Sequence, residues 1–543
     1  RVVDTTGFVS ADFHVHGGNS PDSGVSLDDR VMSYVGEGVE FLSSSDHDVL
    51  TDYGPVIRSH GLEPLINTQV GVESSPLMLT HTLGFPMVYD ETAPNNMPEA
   101  VAFDWYGKTS AEIMRDMRCA GALPPAEEGS DNAGEETSAE TDACGGDAVI
   151  LMAHVYDYFD YYGLNSFDLG ISPNFIMQVA DPVFSPLNFS GAMDGFEILN
   201  GKSLDLMRRL TVAEVRDYNV GLDELIADFQ SGALSFHGYS EAHVRLGRTI
   251  VGRALERTPE EQTAFIDATS GVDCSCLASS PETCAASSAS DETPCDGFRG
   301  VVDDWMRMLN RGVVKTAVAN SDSHGLYHIE AGIPRNFVRS SAEQPIHIDP
   351  AELNRNVKRG AVVTSTGPFV RFEIQGAPVG ETVEVGTGGD VSLSVHVQSP
   401  LWFDVDRVEV YRNGRIVRVF QGCDLAEEGE DCIPFPNTGI DNLKVSWSDS
   451  PEVDSWYAVS ALGTRGKDLA PVYSSLPLAR FGFVETLDGL LALLPIGVGG
   501  GGAAPPSVHP IFPYALTNPI WVEVDGSEGI TPPEGEPPFW AAQ

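Results

Sequence analysis

Apolar positions follow two different rhythms along this chain. Up to about residue 370, short apolar runs alternate with stretches of helical spacing. Ser26-Leu-Asp-Asp29 reads as an N-cap with an acidic first turn; Val31, Tyr34 and Val35 follow at helical spacing, and Gly38 ends the element. Strands are predicted at 39–43, 69–72, 79–84, 148–153, 195–199 and 313–319, with a helix at 303–311 and a capped helix start at Thr258-Pro259. Strands separated by helices at this rhythm predict an α/β domain rolled into a closed or nearly closed βα barrel. Chemistry in such a fold sits where the strands end.

Near residue 375 the texture changes. Residues 391–397 (Val-Ser-Leu-Ser-Val-His-Val) alternate strictly, and 407–411 and 415–420 flank Asn413-Gly414, a strong hairpin signal. Another strand is predicted at 456–461, and no helical period intervenes, so a small β-sandwich is expected. A Gly/Pro-rich linker at 497–506 leads into a Pro-rich tail whose Ile511, Phe512, Tyr514 and Trp521 could clamp back onto the barrel or serve partners. The expected division is a barrel at 1–372, a sandwich at 373–483 and an extended C-terminal segment at 484–543. Polar insertions interrupt the barrel near 119–147 and 270–300.

Length agrees with more than one domain, since single cores stop growing near ~250–300 residues and the chain has 543. Charge narrows the partners. With 32 basic and 79 acidic residues the net charge is -47, which argues against nucleic acid and anionic membrane surfaces. The longest apolar run near the end, 487–498, is broken by Gly and Pro, and it is shorter than the ~20 residues a bilayer needs. Eight cysteines flank polar loops, as staples do. Bridges are predicted between Cys119 and Cys144 and between Cys423 and Cys432. Two more are expected among Cys274, Cys276, Cys284 and Cys295, the 274–276 pairing being disfavoured by geometry. Disulfides predict export: a secreted, periplasmic or cell-surface protein, with Arg1 read as a start left by processing.

Chemistry concentrates at the predicted strand ends. Ala11-Asp12-Phe13-His14-Val15-His16 offers two imidazoles one residue apart, which point the same way on a strand. Ser43-Ser-Ser-Asp46-His47 closes the second strand, and Val70-Gly-Val-Glu73 the third. His81 lies on the next, His154 ends the run 149–154, and Asp322-Ser-His324 repeats the spacing of the opening pair. Six of the thirteen histidines therefore fall on or beside apolar strands, where an unsatisfied polar group is costly. Imidazoles and carboxylates in such a pattern point to a metal site.

The order HxH, DH, strand-end Glu, two single histidines and DxH resembles the PHP (polymerase and histidinol phosphatase) family of metal-dependent hydrolases. The segments His16-Gly-Gly-Asn-Ser-Pro-Asp22-Ser23, Gly332-Ile-Pro-Arg335, 360–368, 408–414 and 517–520 look most like the branch with carbaryl-type carbamate and amide hydrolases. The resemblance implies a PHP-type distorted (βα)7-like barrel and two or three divalent ions, zinc, manganese or iron. It implies that His14, His16, Glu73 and Asp322 hold one ion, that Asp22, His47 and His324 hold a second, and that Glu73, His81 and His154 hold a third. Hydroxide bridging the ions would attack a phosphoester, or a carbamate, amide or ester. Asp22, His47, Glu73, Asp322 and Arg335 are the expected catalytic residues, Arg335 as a ligand for a substrate phosphate or carboxylate.

Other candidates are weaker. Asp12 and Asp46 could orient imidazoles, and Glu197 could face the site from the end of its strand. Lys202 and Arg245 could bind an anionic group, and His237 or His243 could line the pocket. The expected partner is a small-molecule substrate. The competing expectation is a surface or assembly protein that keeps the metal barrel for stability and binds glycans or neighbouring subunits through its sandwich and tail.

Overall fold

The computed structural model describes residues 2–75, 81–89, 105, 107–121, 148–154, 190–201, 301–325, 331–463 and 513–524, with scattered residues between 212 and 296 and after 463. Most of the strands predicted from the apolar runs are present, but they do not assemble as the sequence led us to expect. Among the described residues strand accounts for 35% and helix for only 18%, and the largest unit is an eleven-stranded mixed sheet. The expected PHP-type (βα)7-like barrel, with a helix after each strand, is therefore not what this chain forms.

The reason lies in how consecutive strands pair. β1 (Phe8–Asp12), β2 (Phe41–Ser43) and β3 (Asn67–Gln69) are parallel neighbours, as βα units require. The intervening helices are α1 (Leu27–Gly36) and α2 (Gly54–Ser59). Ser26 caps α1 by accepting from the Asp29 amide, as its sequence predicts. After β3 the alternation stops. The apolar run at 69–72 splits, and β4 (Val72–Ser74) leaves for a second sheet. There β5 (Thr82–Phe85) pairs antiparallel with both β4 and β6 (Val149–Met152). Two parallel strands, β7 (Gly195–Asn200) and β8 (Thr316–Asn320), complete this five-stranded sheet.

Gly71 marks the crossing between the sheets. A Cβ there would stand 2.5 Å from the Ser44 carbonyl oxygen, 2.7 Å from Ser43 Oγ and 2.9 Å from the Gly84 carbonyl oxygen. Two of these three are backbone atoms, one just past β2 and one within β5, which cannot swing aside. Gly71→Ala is expected to lower stability by about 1–3 kcal/mol, the usual cost of overpacking. Denaturant midpoints would measure it, and an unchanged midpoint would show that the crossing is looser than its contacts suggest.

Beyond β1 the large sheet continues through antiparallel neighbours, β9 (Arg335–Arg339) and β10 (Val362–Ser365). The segment expected as an extended tail supplies the next strand. β10 pairs with residues Tyr514–Thr517, which pair in turn with Ser455–Leu462. That strand also pairs with Ile520–Glu523 and with Arg407–Arg412. A separate sheet containing Phe369–Ile374, Val391–Gln398 and Asp441–Asp449 packs on this half through Phe372, Val395, Val408, Val459 and Ile520. The Asn413-Gly414 hairpin forms as read, with positive φ at both residues (53° and 76°). Cys423 and Cys432 are bonded as expected. Cys119 and Cys284 each take part in a disulfide as well, but the pairings expected for Cys119 with Cys144 and among the central four fall outside the described residues.

Between the N-terminal sheets, Val9, Ala11, Phe13, Phe85, Val149, Leu151, Val318 and Val338 form one buried cluster. The free edge of β8 is closed there by side chains instead of a strand. Asn336 Oδ1 accepts from the Ala319 amide (2.8 Å) and its Nδ2 donates to the Ala319 carbonyl (2.5 Å). Asn518 repeats the pattern two residues earlier: Oδ1 accepts from the Ala317 amide (2.9 Å), and Nδ2 donates to the Ala317 carbonyl (2.8 Å). Alternate residues of a strand present their backbone groups to the same side, so two asparagines satisfy an edge that a barrel strand would otherwise cover.

Candidate metal centre

The two sheets bring their strand ends to one place. His14 and His16 follow β1, His47 follows β2, His154 follows β6, and Asp322 and His324 follow β8. Glu73 lies within β4. His81 precedes β5, which runs the other way, so its first residue meets the last residues of its neighbours. Two isolated parallel bridges, Val15 with Ser323 and His47 with Glu73, stitch these ends together. Asp22 arrives from the loop before α1, where the Ser20 hydroxyl donates to it (2.9 Å).

Glu73 is fully buried and is the hub. Its Oε2 lies 3.2 Å from His14 Nε2, 3.2 Å from His16 Nε2 and 3.0 Å from His47 Nδ1. Its Oε1 lies 2.9 Å from His81 Nδ1 and 3.2 Å from His154 Nε2. Asp322 Oδ1 faces the Nε2 atoms of His14 (3.3 Å) and His16 (3.4 Å). Asp22 Oδ2 stands between His47 Nε2 (3.1 Å) and His324 Nε2 (3.0 Å). Three overlapping groups could each hold a metal ion: His14, His16 and Glu73; His16, Asp22, His47 and His324; and His47, Glu73 and His81.

Two features fit cations better than hydrogen bonds. His14 Nε2, His16 Nε2 and Glu73 Oε2 are buried without a hydrogen-bond partner. Such atoms cost about 1–3 kcal/mol each when left unpaired. Their spacing is also right: with bonds of about 2.0–2.1 Å, donors around one tetrahedral ion stand roughly 3.3 Å apart. Mixed imidazole and carboxylate donors suit a divalent transition metal. The backbone adds a third sign. His154 (φ 31°) and Asp322 (φ 54°) both occupy the left-handed region, where a residue other than glycine costs about 1–3 kcal/mol and clusters at functional sites.

The electrostatics draw positive charge inward. Burial opposes a charge on His14, but the carboxylates of Asp322, Glu73 and Glu197 outweigh it and hold its pKa well above the ordinary value. A proton there occupies the place a cation would take. Burial likewise opposes ionisation of Glu73, yet His14 and His81 hold its carboxyl well below the usual range. Burial and the neighbouring His324 push His16 down to about 3, leaving the neutral ring that binds metals. His47 is pushed up to about 10, Asp22 and Glu73 overcoming the effect of burial. Asp22 is held below its ordinary value, hydrogen bonds from His324 and His47 exceeding the cost of burial.

The structure thus gathers His14, His16, Asp22, His47, Glu73, His81, His154, Asp322 and His324. It does not bring Arg335 to them: that guanidinium donates to the carbonyls of Gly332 (2.5 Å) and Glu37 (2.9 Å). Among the described residues, neither Asp12 nor Asp46 hydrogen-bonds an imidazole. Asp12 accepts from the amides of His14 and Ser321 and from Tyr34 Oη, and Asp46 accepts from the Gly17 amide and the Thr51 hydroxyl. Both tie down strand ends. Glu197 does reach the site, 2.8 Å from His14 Nδ1. No site role is expected from the sequence for Ser20, which lies 3.1 Å from His16 Nδ1, or for Ser75, which meets His47 Nδ1. Ser20 lies within the segment 16–23 already quoted for the resemblance, whereas Ser75 is marked only by its nearness to Glu73 in the chain. Lys202, Arg245, His237 and His243 fall outside the described residues.

Comparison with known proteins adds no assignment: no family model matches the chain, and no curated protein matches it significantly.

Proposed function

We propose that this protein is a hydrolase that works through two or three divalent metal ions and cleaves a phosphoester, or a carbamate, amide or ester. The observation that carries the reading is the double use of Glu73, whose two oxygens face different sets of imidazoles at 2.9–3.2 Å. A single structural ion needs four ligands and no bridge; a bridging carboxylate suits ions held a few Å apart. The order of the motifs along the chain, similar to that of the PHP family, supports the reading at the level of the residues.

When bound, such ions supply Lewis acidity and lower the pKa of a water molecule towards neutrality. The chain's own residues do the rest. His14, His16, Glu73 and Asp322, all fully buried, form a floor shielded from solvent. Asp22, 49% exposed, and His81, 27% exposed, form the rim that an incoming substrate meets first. Ser20 anchors the rim from below by binding both Asp22 and His16. Export is part of the proposal, supported by the Cys423–Cys432 bridge. Among the described residues, no helix is long and apolar enough to cross a membrane.

Chelation is expected to abolish hydrolysis and added zinc or manganese to restore it. His47→Ala and Asp322→Ala should each lose bound metal and turnover together. A panel of chromogenic phosphate, carboxyl-ester and carbamate substrates, run beside elemental analysis, separates the substrate classes. Full activity in a metal-free preparation would sink the mechanism.

A further inference from the structure

Glu197 is 1% exposed, lies within β7 and has no part in the metal groups described above. Its carboxylate meets four groups. Oε1 faces His14 Nδ1 (2.8 Å) and Asn320 Nδ2 (2.8 Å); Oε2 faces Asn200 Nδ2 (2.8 Å) and the His154 amide (2.5 Å). The last three are hydrogen donors by constitution. The orientation of Asn320 is set independently, because its Oδ1 accepts from the Phe13 amide (3.0 Å) and from Asn336 Nδ2 (2.8 Å), which leaves Nδ2 for Glu197. An ionised carboxylate is an acceptor at every lone pair, so the fourth group, His14 Nδ1, must carry hydrogen.

We infer that Glu197 is a positioning residue that fixes His14 with its hydrogen on Nδ1 and its Nε2 lone pair aimed at Glu73 and Asp322, so setting the affinity of one ion of the cluster. The inference rests on the proposed metal chemistry and says which of its sites depends on a residue that touches no ion. The same carboxylate holds two more parts of the centre. Through the His154 amide it pins a ligand whose backbone is in the left-handed region. Through Asn200, whose Nδ2 also lies 3.3 Å from Asp322 Oδ2, it turns Asp322 so that Oδ1 faces His14 and His16. Glutamine cannot replace it. An amide has one oxygen, so in either orientation its NH2 meets two donors. Aspartate is a methylene shorter and cannot span all four groups.

The test is titration of the full-length metal-stripped chain with zinc(II) and manganese(II), read as stoichiometry and affinity without any substrate. Wild type is expected to bind two or three ions. Glu197→Gln and Glu197→Asp should bind one of them about 10–100-fold more weakly, the range typical of outer-sphere changes. The site built on Asp22, His47 and His324 should fill as in wild type. Wild-type affinities at every site in both variants would overturn the inference while leaving the hydrolase reading intact. A wild-type chain that binds neither metal would overturn both. Should the variants not fold, ring-nitrogen spectra of the metal-loaded wild type, with His14 assigned by His14→Gln, decide the matter. A hydrogen on Nδ1 and metal on Nε2 are expected, and the reverse would refute the role of Glu197.

Discussion

Glu73→Gln is expected to lose most of its bound metal and to lower kcat/KM by more than about 100-fold, beyond the usual cost of an outer-sphere change. The substitution keeps the volume of the side chain and removes one anionic oxygen. Five imidazoles surround the two carboxylate oxygens, three at Oε2 and two at Oε1. An amide leaves one of these sets facing NH2, which binds no cation. It also removes the negative charge that, among the described residues, the two sets share, and cations a few Å apart repel unless an anion lies between them. Elemental analysis beside hydrolysis of the best chromogenic substrate measures the effect, with near-ultraviolet circular dichroism as the control for folding. Wild-type metal content and turnover in Glu73→Gln would remove the bridging role and the multinuclear reading with it.

The second large effect concerns stability. A chain ending at residue 512 is expected not to reach the native fold. Tyr514–Thr517 sits between β10 and Ser455–Leu462, so its loss opens the large sheet on both sides. Alternate residues of the two terminal strands enter different cores. Tyr514, Leu516 and Trp521 pack with Trp305 and Trp456, whereas Ala515, Ile520 and Val522 pack with Val408 and Val459. Asn518, between the strands, closes the edge of β8, the strand that ends at the candidate metal centre. The milder Leu516→Ala removes a fully buried side chain and should cost about 2–5 kcal/mol. Melting curves and limited proteolysis would measure both variants. A truncated chain that melts like the full one would show that the terminal strands merely lie against a fold complete without them.

These expectations show where the sequence was informative. Ser26 and the acidic turn after it located α1, and Asn413-Gly414 located its hairpin, because capping and turn formation are satisfied within a few residues. The clustered histidines could be singled out for a similar reason. An imidazole at the end of an apolar strand needs a partner whatever the fold, and few partners suit so many at once. The run at 69–72 misled for a physical reason. Its apolar pattern is that of one strand, but Gly71 lets the backbone cross between two sheets, and a pattern of period two does not record which neighbour a strand will choose.

What the sequence determined by itself was local: where strands and helices lie, which turns join them, and which side chains at their ends can hold a metal. Tertiary structure decided the remainder. It set β4, β5 and β6 antiparallel where βα units were expected, and it placed the terminal strands inside the large sheet. It turned Asp12 and Asp46 to backbone amides, Arg335 to carbonyl oxygens and Glu197 to His14. Periodicity and capping depend on neighbours in the chain. The pairing of strands and the partner a buried carboxylate finds depend on residues brought together from 183 positions away for Glu197 and 201 for Asn518. Only the folded chain brings those partners within reach.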